Sequence, residues 1–169
     1  MTEVLTRRYL NDIMPVLLKD LERHSRPISV MFVDCDNFKV VNDTWGNAAG
    51  DAVLRAVSRA LLETVRETDL TVRIGGDEFI VIFLETSGED LHYVVDRCVL
   101  SLNAAMQAHE WPVTFSIGVV EFQQTPPDIN TIVNQADQAM YIAKNNGKNS
   151  VVYKTVDRSH SDGTVNIRT

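Results

Sequence analysis

The chain has 169 residues, 44% of them hydrophobic and 23% charged. Those are the proportions of one globular domain, and they exclude a disordered, collagen-like or fibrous chain. Acidic residues outnumber basic ones by 23 to 16, for a net charge of −7. That balance argues against bulk, sequence-independent nucleic-acid binding, so any anionic ligand needs a local cluster of positive charge.

Two cysteines, Cys35 and Cys98, are too few for a disulfide framework. No apolar run reaches the ~20 residues of a membrane span, and no signal-peptide pattern opens the chain. A cytoplasmic domain without membrane contact is expected.

Leu10, Ile13, Met14, Leu17, Leu18 and Leu21 recur at helical spacing. Pro15 lies off that stripe and is expected to kink or weaken the helix. Ile28–Val33 is an apolar, β-rich run that reads as a buried strand. A short helix is expected from Phe38, interrupted near Trp45-Gly46, and a longer one from about Asp51. Leu70–Ile74 and Phe79–Leu84 flank Gly75-Gly76 and predict a β-hairpin.

An amphipathic helix follows around Leu91–Met106, then a strand over Val113–Glu121. A helix over Ile129–Asn145 is closed by Gly147, and Val151–Tyr153 forms a last strand. Residues 155–169 are mostly polar and read as a frayed tail behind a domain of residues 1–154. The order has a βαββαβ centre. It predicts an α+β fold, an antiparallel-containing sheet with helices on one side.

Acidic residues gather at two places. Asp34-Cys35-Asp36 stands where the first strand leaves the core, and alternation puts Asp34 and Asp36 on one side. Asp77 and Glu78 follow the Gly-Gly turn, where the backbone can approach a ligand closely. The two places meet only if the hairpin packs beside the first strand. A hard cation such as Mg²⁺ takes one or two carboxylates together with substrate phosphates. Positive charge is available at Lys39, Arg73, Lys144 and Lys148.

Other chemistries lack residues. Asn146–Ser150 fails the P-loop pattern, with Ile142 where the first Gly belongs and Asn149 after the Lys. No cysteine pair has metal spacing, the four histidines are scattered, and nothing supports a nucleophilic triad.

These residues resemble the GGDEF domains of diguanylate cyclases. Gly75-Gly76-Asp77-Glu78-Phe79 matches the signature itself. Residues 33–43 look like D-x-D-x-F-K-x-x-N-D, and Gly50-Asp51 like the end of G-H-x-x-G-D. Ser116-Ile117-Gly118 matches S-I-G, residues 136–144 match A-D-x-A-M-Y-x-A-K, and Gly147-Lys148-Asn149 resembles G-R-N. The likeness covers roughly residues 2–153. Its opening motif is degenerate, Asn47 replaces a usual His, Ile74 a common Tyr and Lys148 an Arg.

The resemblance implies a palm-like sheet with surrounding helices, similar to nucleotide cyclases and polymerases. It implies condensation of two GTP into cyclic di-GMP and two pyrophosphates. Asp34, Asp77 and the Cys35 carbonyl would hold Mg²⁺ or Mn²⁺, and Glu78 would complete that site or assist deprotonation. Lys144 and Lys148 would bind phosphates, with the backbone near Phe38 and Lys39, and Arg73 nearby. Asn42 and Asp51 would read guanine.

Catalysis would need a homodimer with opposed half-sites, controlled by an upstream sensor domain in a longer protein. Arg66-x-x-Asp69, separated from Gly75 by five residues, resembles the family's inhibitory site for cyclic di-GMP. The alternative is a weakly active module that binds GTP or cyclic di-GMP and regulates a neighbour. Asp34, Asp77 and Glu78 are all present, which favours the enzyme.

Overall fold

The computed structural model describes residues 4–157 in full and the backbone of residues 160–168. In chain order the elements are β1 (Leu5–Thr6), α1 (Arg7–Arg23), β2 (Ile28–Asp36), α2 (Phe38–Trp45) and α3 (Asn47–Leu62). There follow β3 (Leu70–Arg73), β4 (Glu78–Leu84), α4 (Gly88–Gln107), β5 (Thr114–Phe122), α5 (Ile129–Asn145), β6 (Ser150–Asp157) and β7 (His160–Arg168). The strands form one mixed sheet in the order β1-β3-β4-β2-β5-β6-β7.

Every residue of β2 is buried. It runs antiparallel to β4 on one side and β5 on the other. Its middle, Val30–Val33, is continuously apolar because both faces are covered. Met31, Val33 and Cys35 enter a core with α2, α3 and α4. Val30 and Phe32 enter a second core with α1 and α5. This corrects the expectation of helices on one side. The α+β class stands.

The β3–β4 hairpin packs beside β2, as the acidic sites require, with Asp34 opposite Glu78. From β5 the chain crosses through α5 to β6, which runs parallel to β5. At Gly118 on β5 a Cβ would collide with Met140 N and Ala136 O and lie 2.8 Å from Ala139 C. Only glycine lets the α5 backbone sit this close to the strand. That closeness fixes the height of Lys144 above the end of the sheet.

Three boundaries differ from the sequence reading. β2 continues to Asp36, so the acidic pair lies within the strand. α3 begins at Asn47, because Gly46 (φ 82°) alone breaks the path from α2. The expected tail does not begin at residue 155: β6 runs to Asp157, and β7 pairs antiparallel with it. α1 continues through Pro15, which is solvent-exposed and costs the helix one amide donor.

Candidate active site at the end of the central strands

The C-terminal end of β2 and the tip of the β3–β4 hairpin share one edge. The Cys35 amide donates to the Asp77 carbonyl at 3.1 Å, which ties the turn to β2. The Glu78 carboxylate folds back over Gly75, where any Cβ would strike its Oε2. Arg73 spans the turn and donates to the Gly75 and Gly76 carbonyls. The structure thus gives Arg73 a scaffolding duty that its charge alone did not announce.

Asp34 is buried and accepts from Lys144 Nζ at 2.7 Å. Burial raises the Asp34 pKa; Lys144 opposes that, and Asp77 and Asp36 push it further up. Glu78 is raised by burial, then by Asp34 and Asp77, with Asp137 on α5 adding to the repulsion. For Lys144, burial is the largest influence and lowers its pKa. The hydrogen bond and charge of Asp34, with Asp77 and Asp36, together raise it.

One ammonium therefore faces several carboxylates. Among the described residues no His, Cys, Asp and Glu side chains form a ready metal cage of three or more. A Mg²⁺ site does not need one, since that ion keeps waters and recruits substrate phosphates. Mutually repelling hard oxygen donors at the edge of a sheet fit such a cation. Burial also pushes the Cys35 thiol well up. Its sulfur stays protonated, and only its carbonyl is a suitable donor for a hard ion.

Cationic groups lie on the same side. Lys148 follows α5 in the bend Gly147–Asn149. The N-terminus of α2 supplies the Phe38 and Lys39 amides, which a helix cannot satisfy internally. Asn42 of α2 and Asp51 of α3 flank the Gly46 break. Asn42 packs against Gly50, where a Cβ would lie 2.9 Å from its Cγ. Asp51 is exposed.

Arg66 and Asp69 are at the other end of the hairpin. Asp69 is buried and accepts from the Arg66 amide at 3.0 Å and the Leu84 amide at 3.2 Å. Burial raises its pKa despite those two bonds. The Arg66 side chain is exposed.

The family model described as "Diguanylate cyclase, GGDEF domain" matches residues 1–150. This chain belongs to the GGDEF family. The GGDEF domain is 36% identical over 155 residues to diguanylate cyclase DosC of Escherichia coli, covering 89% of this chain and 34% of DosC. It is 31% identical to diguanylate cyclase TpbB of Pseudomonas aeruginosa, covering 89% of this chain and 35% of TpbB. The chain thus spans about a third of these relatives.

Among solved structures, the GGDEF domain of TpbB superposes with a TM-score of 0.79 at 30% identity, covering 93% of this chain and 99% of that one. The GGDEF domain of DgcB from Caulobacter crescentus, solved with cyclic di-GMP, gives 0.80 at 25% identity, covering 90% and 92%. Diguanylate cyclase SiaD of P. aeruginosa, solved with its activator SiaC, gives 0.79 at 32%, covering 90% and 59%. No helix among the described residues is long and apolar enough to cross a membrane.

Two residues gain roles that the sequence reading did not assign. Asp137 belongs to the A-D-x-A stretch and adds negative field at Glu78. Asp36 takes its hydrogen bonds from Thr114, Ser116 and Asn149. Asp137 was signalled only by its place in a family motif, whereas Asp36 already stood out as half of the acidic pair at the end of the first strand.

Proposed function

We propose that this GGDEF domain condenses two GTP molecules into cyclic di-GMP with release of two pyrophosphates. The contact between Asp34 and Lys144 carries the reading. Lys144, which would bind phosphate, lies 2.7 Å from Asp34, which would bind the metal, and Asp34 is the cross-strand partner of Glu78. Such a pair suits a nucleotide triphosphate that arrives with a divalent ion.

Asp34, Asp77 and the Cys35 carbonyl would hold Mg²⁺ or Mn²⁺. When bound, the ion polarises the α-phosphate and favours the alkoxide form of the attacking hydroxyl. Lys144, Lys148 and the α2 amides at Phe38 and Lys39 hold the β- and γ-phosphates. Arg73 adds positive charge at the hairpin tip.

Asn42 and Asp51 read the base. A carboxylate accepts from guanine N1–H and N2–H, a donor pair that adenine lacks. Each 3′-oxygen forms a bond to the α-phosphorus of the other GTP, and each α–β anhydride bond breaks. Glu78, whose pKa is raised by burial, would complete the metal site or assist removal of the hydroxyl proton.

One site holds one GTP, so two domains must face each other as a homodimer. Domains elsewhere in a longer sensor protein would set that encounter. The test is incubation with GTP and Mg²⁺ and identification of the product by mass. Cyclic di-GMP is expected. Normal GTP binding without product at high protein concentration would instead support a regulatory binding module.

A further inference from the structure

The acidic pair at the end of β2 divides its work. Asp34 faces Lys144 directly. Asp36, two residues on and 3% exposed, has acquired other partners. Its Oδ1 accepts from Ser116 Oγ at 2.8 Å. Its Oδ2 accepts from Thr114 Oγ1 at 3.1 Å and from the Asn149 amide at 3.2 Å. Two donors come from β5, the strand beside it. The third comes from the bend that carries Lys148.

That bend is an unusual piece of backbone. Gly147, Lys148 and Asn149 have φ of 102°, 66° and 45°, three left-handed residues in succession. L-residues avoid this region, so Lys148 and Asn149 must be held there by their surroundings. One tie runs back to α5, where the Lys148 amide donates to the Ala143 carbonyl at 3.1 Å. The other is the bond from Asn149 to Asp36. With both in place the Lys148 backbone is fixed between α5 and β2.

We propose that Asp36 is a positioning residue, whose buried carboxylate pins the Gly147–Asn149 bend through the Asn149 amide and so holds Lys148 where it meets the terminal phosphates. The inference rests on the phosphate role of Lys148 given above. It also separates Asp36 from the metal. A carboxylate that already accepts three hydrogen bonds from the protein is poorly disposed to ligate an ion. The spacing of the acidic pair then has a physical reason: successive side chains on one face of β2 each govern one of the two lysines.

The experiment compares wild type, Asp36→Asn, Lys148→Ala and the double variant. Calorimetry measures binding of GTP and of GMP with Mg²⁺, and initial rates measure the Mg²⁺ requirement. An Asn side chain keeps one acceptor oxygen and cannot serve all three donors. Asp36→Asn is expected to weaken GTP binding about tenfold or more, and to leave GMP binding and the Mg²⁺ requirement near wild type. Lys148→Ala should do the same, and the double variant should bind no worse than the weaker single. A milder Ser116→Ala change should shift GTP binding in the same direction by less.

In wild type the Asn149 amide should exchange slowly with solvent although its residue is exposed. Fast exchange there, equal loss of GTP and GMP binding, a shifted Mg²⁺ requirement or additive losses would each overturn the proposal. A Lys148→Ala variant that binds GTP like wild type would overturn the phosphate assignment beneath it. The exchange rate of Asn149 tells that failure from a failure of the anchor.

Discussion

The ammonium of Lys144 on α5 and the carboxylate of Asp34 on β2 are 2.7 Å apart, but the two side chains differ in exposure, 33% against 5%. Asp34 is committed to the interior, while Lys144 can turn outward. On the proposed reading, Lys144 would turn onto phosphate when a nucleotide arrives, leaving Asp34 free to hold the metal ion. The two carboxylates given to the metal then matter through their charge. Asp77→Asn is expected to lower turnover about 100-fold or more while GTP still binds through the lysines and base contacts. Single-turnover rates beside calorimetry check this, and near-normal turnover would remove Asp77 from the metal site.

Glu78 makes a prediction about stability. Burial and the charges of Asp34 and Asp77 raise its pKa in the fold above the ordinary 4.5. The folded state then binds more protons than the unfolded one in the interval above 4.5, so ionisation of Glu78 reduces stability as pH rises through it. Glu78→Gln should raise Tm at neutral pH by roughly 1–3 °C in a metal-free buffer. The gain should shrink as pH falls towards 4.5 and disappear below it. A difference that stays constant from pH 4 to 8 would contradict the electrostatic cause.

Base choice should reside on α2 and α3. Asp51 is exposed, and no structural bond of the fold depends on its carboxylate among the contacts described. Asp51→Ala is expected to erode the preference for GTP over ATP by about 1–3 kcal/mol, by analogy with paired base contacts elsewhere. Binding of inorganic pyrophosphate should hardly change. An unaltered GTP-to-ATP ratio would take Asp51 out of the base site.

Gly118 tests how the site is held at its height. A methyl group there meets the backbone of α5, which cannot swing aside like a side chain. Gly118→Ala should destabilise the domain by about 1–3 kcal/mol or more through overpacking, and should displace Lys144 with the helix. Chemical denaturation gives the stability, and the GTP affinity of the surviving folded protein gives the displacement. Wild-type stability would mean that α5 has room to shift.

Much of this arrangement was legible. The Gly75-Gly76 turn between two β-rich runs marked the hairpin, and the acids beside it marked the edge where chemistry gathers. Other parts left weaker traces. The apolar run from Ile28 to Val33, interrupted only by Ser29, signals two covered faces, but strand length alone did not reveal the second helical layer. β1 is two residues long, too short for any period. β7 joins the sheet through the backbone of β6, and an edge strand needs no apolar run to be paired on one side. The roles of Ser116 and Asp36 depend on the register between β2 and β5, which no local pattern encodes.

The last prediction concerns product inhibition. Asp69 spends one oxygen on the Arg66 amide and the other on the Leu84 amide. It therefore braces the junction between the end of α3 and the two strands of the hairpin. Arg66 is free of the core and presents its guanidinium to solvent. A guanidinium donates well to guanine O6 and N7, so the expected recognition of cyclic di-GMP falls chiefly on Arg66. The two residues should then separate by experiment. Arg66→Ala should keep turnover and stability and lose slowing by added cyclic di-GMP. Asp69→Ala should lose stability by about 1–3 kcal/mol, because two part-buried amides are left without their acceptor. Progress curves with and without added product, calorimetric titration of cyclic di-GMP and denaturation of both variants supply the comparison. If wild type neither binds cyclic di-GMP nor slows in its presence, Asp69 is a turn anchor and Arg66 a surface charge.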